Sequence, residues 1–148
     1  SQKRVTPTEM GRARSPSEPS WEEKEMNVVV WVLQVVLALA FLAHGWMFLF
    51  PSPEIEVLMN ASIAKPLRYF LGVAEVAAGI GLVVPGITRI KPWLVPLAAA
   101  GLVPIMIGAT VLHIARAEYS AAVTTFILLA MIVVVAWQRW RVRPIASR

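Results

Sequence analysis

The chain contains no cysteine. That excludes disulfide exchange, thiolate catalysis, iron–sulfur ligation and Cys-based zinc sites within it. Electron relay through Cys-x-x-Cys pairs, as in some four-helix membrane oxidoreductases, is excluded with them. Histidine is nearly absent too, with His44 and His113 alone. Charge is scarce, and four blocks lack it almost entirely: Met26–Pro53, Tyr69–Thr88, Pro92–Ala115 and Tyr119–Gln138. Each reaches about 20 residues, the length a helix rising ~1.5 Å per residue needs to cross ~30 Å of hydrocarbon. A chain of 148 residues has too little polar surface to wrap four all-apolar core helices. The expected fold class is therefore all-α, an integral membrane four-helix up-down bundle in which short connections make successive spans antiparallel neighbours.

The spans are expected at about 27–50, 66–84, 93–113 and 120–138, inside a transmembrane domain over residues 26–140. Residues 1–25, rich in Ser, Pro, Glu and Arg, cannot bury enough surface to offset their ordering entropy and read as a flexible cytoplasmic arm. Residues 141–148 form a basic tail. Eleven of the fourteen Lys and Arg residues fall on the side of the two termini; Lys65, Arg68 and Arg116 fall on the other. By the positive-inside rule both termini are cytoplasmic. Trp31, Trp93, Trp137 and Trp140 mark one interface and Trp46, Tyr69 and Tyr119 the other, in agreement with that topology. The net charge of +5 comes with no nucleic-acid motif, so the partner expected of the basic flanks is the lipid bilayer and its anionic headgroups.

The longest external loop, Pro51–Lys65, carries helix signals: Ser52 as cap, Pro53 at the first position, and Glu54 and Glu56 in the first turn. Ile55, Leu58, Met59 and Ile63 then share a face, as in a helix lying on the membrane surface. In the second span Gly72, Glu75, Gly79 and Leu82 share another face. Ala74 with Ala78, and Ala77 with Gly81, are small-xxx-small pairs that let helices approach closely. Gly101 and Gly108 in the third span are expected to act similarly. Pro85-Gly86 reads as the turn that closes span two.

Glu75 is the lone charge in the apolar block Tyr69–Thr88. A carboxylate in hydrocarbon is costly, so it faces a packed interior or a wet cavity and usually has a partner; His44 and His113 are the candidates. Two readings stay open: a proton-exchanging group, or a neutral acid donating one hydrogen bond that fixes helix register. His44 is a candidate for proton exchange beside it, or a ring packed among Phe41, Met47 and Phe48. His113, Thr110 and Arg68 are candidate ligand-binding residues, against ordinary roles as interfacial residue, helix-bonded hydroxyl and boundary anchor. Gln34, Thr124 and Thr125 read as interhelical or helix-bonded polar contacts. Rise along the helices puts Glu75 about 13 Å and His44 about 9 Å below the outer boundary, so one outward-opening pocket shared with His113 is geometrically allowed. Haem held by the two histidines is not expected, since their depths differ. No metal site is assigned.

Leu39-Ala40-Phe41-Leu42-Ala43-His44-Gly45, then Leu67-Arg68-Tyr69-Phe70-Leu71-Gly72-Val73-Ala74-Glu75 and Ala78-Gly79-Ile80-Gly81-Leu82-Val83-Val84-Pro85, with the Gly108…His113 end of span three, resemble the DoxX-like family of small four-span membrane proteins. The resemblance runs from Met26 to about Arg139. It implies a four-helix bundle centred functionally on the acid at position 75, and some relatives are linked to quinone-coupled sulfur oxidation or to membrane oxidoreductase complexes. Trp46-Met47-Phe48 follows Gly45, where a lysine is frequent in the family.

Three functions are weighed. The first is an accessory integral subunit of a larger redox or energy-converting membrane complex, with other membrane subunits or a homo-oligomer as partners. The second is a quinone-interacting oxidoreductase component in which Glu75 exchanges protons. The third, a small proton-coupled exporter, ranks last because typical small exporters carry their essential acid in the first span. No cofactor is expected in the chain itself, quinone being the candidate ligand; whether it is an enzyme stays open. The expected location is a bacterial inner membrane.

Overall fold

The computed structural model describes residues 19–148, and the part of the expected arm before them lies outside it. Helix α1 (Trp21–Leu49) starts five residues before the apolar block. Ser20 and Glu23 explain this by closing a capping box. The Ser20 hydroxyl accepts the Glu23 N–H at 3.2 Å, and the Glu23 carboxylate accepts the Ser20 N–H at 2.9 Å, so two orphan donors of the first turn are satisfied reciprocally. Trp21–Glu25, which composition assigns to the arm, are thus helical.

Helix α2 (Pro53–Ser62) has Pro53 in its first turn and Ser52 in the cap position, although the Ser52 hydroxyl makes no capping bond. None of its residues is buried. Helix α3 (Lys65–Thr88) does not stop at Pro85-Gly86 as its sequence suggests. Both residues lie inside the helix and are buried, and the chain turns instead at Arg89, whose backbone is left-handed with φ 56°. Proline removes a donor and crowds the preceding turn, but membrane helices tolerate it where neighbouring packing holds the segment. Here the Trp31 ring lies against Gly86.

Helices α4 (Leu94–Ala115) and α5 (Tyr119–Trp137) follow, and α5 runs into a π-helical turn at Gln138–Val142. The four long helices are each long and apolar enough to cross a membrane, and the protein is a multi-pass integral membrane protein. Helix α1 packs on α3 and α5 on α4, while α3 against α4 joins the two pairs. Leu37, Phe41, Leu82, Leu102, Met106 and Ile132 form the core. Three contacts identify the ends: Arg139 meets Asn27 and Arg148 meets Arg89 at one, whereas Arg116 meets Ser62 at the other. The first is called the terminal end and the second the loop end.

The closest approach is between α1 and α3. A methyl group added at Gly45 would lie 2.8 Å from the Gly72 carbonyl oxygen, and one at Gly79 would lie 3.1 Å from the Ala38 carbonyl oxygen. Glycine is what allows backbone to meet backbone there. Gly101 and Gly108 do not serve this purpose. Nothing lies within 4 Å of where their Cβ atoms would stand, because both are on the outer side of α4.

Candidate functional site

The face of α3 that enters this seam is a polar stripe held between glycines: Arg68, Gly72, Glu75, Gly79 and Leu82 are all buried. Glu75 is 1% exposed. Its carboxylate has one partner, the His44 Nδ1, at 2.6 Å. The distance is short because Gly45, adjacent to His44, and Gly72, one turn before Glu75, let the two helix axes converge. The His44 side chain is 45% exposed, so the pair reaches from the interior of the bundle to its membrane-facing surface. Phe48 lies one turn further along α1, its ring centroid 4.4 Å from that of His44 and tilted by 43°.

Chemically this is an acid and a base joined by one hydrogen bond. With Glu75 ionised, Nδ1–H donates to it and Nε2 is a free acceptor at the surface. With Glu75 protonated, the acid donates to Nδ1 and Nε2–H is a free donor. Moving one proton along the 2.6 Å contact therefore inverts the hydrogen-bonding sense of the exposed nitrogen. Both readings kept open for Glu75 use the same bond, and the exposed ring edge is what a purely structural bond would not need.

The other sequence candidates do not join this pair. His113 contacts the Glu118 carboxylate at 2.6 Å in the α4–α5 turn, which resolves the choice of partner for Glu75 in favour of His44. The Thr110 hydroxyl donates to the Met106 carbonyl and lies 2.9 Å from the Thr125 hydroxyl, a contact between α4 and α5. Arg68 is fully buried at the loop end. Its Nη2 donates to Glu56 at 3.1 Å, and its guanidinium lies 5.0 Å from the Tyr69 ring centroid. Glu56 also pairs with Lys65 at 3.3 Å. The Lys65 ammonium, with Arg68 behind it, holds the Glu56 carboxyl below its ordinary 4.5. Among the described residues, no group of three His, Asp or Glu side chains is arranged to hold a metal ion.

A second buried network was not legible as one in the sequence. Gln34, Asn27 and Trp31 of α1 surround Arg139 at the start of the π-turn. The signal available was the i, i+4, i+7 spacing of Asn27, Trp31 and Gln34, which puts an amide, a ring and an amide on one face.

Residues 32–135 match the model of the DoxX-like family. No curated protein and no solved structure matches the chain.

Proposed function

The chain belongs to the DoxX-like family, and from that premise we propose that it is a membrane component whose His44–Glu75 pair exchanges a proton with a lipid-soluble, quinone-type ligand. The observation that carries this reading is the pairing of a carboxylate 1% exposed with a ring 45% exposed on the membrane-facing side of the bundle. Buried ionisable groups in a membrane are costly and mark proton or ligand paths. A quinol hydroxyl meeting Nε2 gives its proton to the ring, and the Nδ1 proton passes to Glu75. A quinone carbonyl meets the same nitrogen as a donor, and the Phe48 ring beside it offers an aromatic face for stacking. The residues therefore fit such a headgroup. The chain's part is to hold and move the proton.

Electrons released with that proton need an acceptor outside this chain, which has no thiols and whose two histidines each contact a different carboxylate. This favours the companion reading, an accessory subunit working beside other membrane subunits. The bare backbone of α4 at Gly101 and Gly108 is suited to close approach by another helix. The test is direct binding of a short-chain quinone analogue to the purified chain. Binding is expected in wild type and is expected to fall about tenfold or more in E75Q, which cannot take up the proton but keeps the shape. Undiminished binding in E75Q overturns the proton-exchange reading and leaves the accessory one.

A further inference from the structure

Arg139, at the terminal end, is 3% exposed and, among the described residues, bonded only to neutral groups. Its Nε donates to Gln34 Oε1. Its Nη1 donates to Asn27 Oδ1 at 2.7 Å and to the Arg143 carbonyl at 3.3 Å. Its Cζ lies 5.1 Å from the Trp31 ring centroid. Among the described residues Nη2 has no hydrogen-bond partner and no carboxylate pairs with Arg139. The other buried arginine, Arg68, has Glu56. A buried charge is retained only when paired and hydrogen-bonded, and Arg139 is half provided for.

The surroundings are built to hold a cation. Gln34 Nε2 donates to the Leu82 carbonyl at 2.7 Å, which fixes the amide so that its oxygen points at Arg139. Arg141, Arg143 and Arg148 follow in the same terminal segment, and the Arg148 N–H bonds the Arg89 carbonyl at 3.2 Å, bringing more positive charge to this end. The acids of α1, Glu22, Glu23 and Glu25, are exposed in its first turns, and Glu23 is engaged in the capping box.

We propose that the free Nη2 edge of Arg139 is a binding site for an anionic phosphate oxygen, contributed by an acidic phospholipid headgroup or by free phosphate. A guanidinium presents parallel donors that match phosphate geometry, and the basic terminal end raises the local concentration of anions. Residues 143–148 are the part that yields to admit it. They carry no regular structure beyond the π-turn, and the Ile145 side chain lies against Gly86.

The test uses the full chain in nanodiscs of phosphatidylcholine, to which phosphatidylglycerol or inorganic phosphate is added, with side-chain NMR following hydrogen exchange at the Arg139 guanidinium. A charge-assisted bond to Nη2 is expected to slow that exchange by about tenfold. Slowing by phosphatidylglycerol alone assigns the headgroup as source, slowing by inorganic phosphate assigns the free ion, and unchanged exchange with both overturns the proposal. In parallel, native mass spectrometry of lipid retained from mixed nanodiscs should show a preference for phosphatidylglycerol that R139Q loses, R139K keeps in part and R141Q keeps. Full retention of the preference in R139Q places it on the exposed arginines and also overturns the proposal. The NMR arm needs no variant, so a misfolded R139Q leaves the test intact.

Discussion

Gly45→Ala is the sharpest perturbation of the seam that creates the His44–Glu75 pair. The new Cβ would stand 2.8 Å from the Gly72 carbonyl oxygen, 2.9 Å from Val76 Cγ2 and 3.1 Å from Glu75 Cβ, whereas ordinary contact begins at 3.4 Å. The carbonyl belongs to backbone, so relief requires α1 and α3 to part by 3.4 minus 2.8, or 0.6 Å, at that level. Overpacking of this kind costs about 1–3 kcal/mol, against a helix-propensity gain of about 0.5–1 kcal/mol for replacing glycine. Carried to the neighbouring residue, the same separation lengthens the 2.6 Å contact to about 3.2 Å, the weak end of the hydrogen-bond range. Gly101→Ala is the internal control. Nothing lies within 4 Å of its new methyl group, so only the propensity gain of about 0.5–1 kcal/mol should appear. Unfolding in mixed micelles should therefore rank G101A at or above wild type and G45A below it. Equal stability of G45A and G101A would refute the argument that the helices are held apart by nothing more than glycine hydrogens.

Two further outcomes follow from the same contacts. Gln34→Leu removes the acceptor of Arg139 Nε and the donor to Leu82. It should cost about 1–3 kcal/mol for a buried donor left unmade, read in the same unfolding assay, and should leave quinone-analogue binding intact. At the loop end, the Glu56 carboxyl is held below its ordinary value by Lys65 and Arg68. Its contribution to stability is present above the ordinary carboxylate range and is lost as pH falls through its lowered value. The protection of amides at the α2–α3 junction, relative to their intrinsic exchange rates, should fall on acidification in wild type. In E56Q that protection should be low at every pH, with no such dependence.

Four spans, the short helix α2 and the buried face of Gly72, Glu75, Gly79 and Leu82 were legible because apolar length and helical periodicity decide them. The course of α3 past Pro85-Gly86 was not, because Trp31 packing from another helix overrides a local turn signal. The partner of Glu75 was legible only as a choice of two: depth along a helix is written in the sequence, while rotation about its axis and the pairing of neighbours are not. The glycines divided the same way. Gly45 is small because Gly72 backbone meets it, Gly101 is small with nothing facing it, and the sequence spells both alike. Arg139 was hidden most completely. A flanking arginine reads as a solvated charge until a tertiary fold brings Gln34 and Asn27 around it.

The proposed function requires the proton at position 75 to be exchangeable from the membrane side through His44. Isotope-edited infrared difference spectroscopy of the purified chain, recorded on adding a quinol analogue with labelled glutamate, observes that proton directly. A change in the carboxyl stretch that disappears in E75Q and is suppressed in His44→Phe is the result expected. A Glu75 signal that ignores the analogue, or one that survives loss of the His44 nitrogens, would contradict the account.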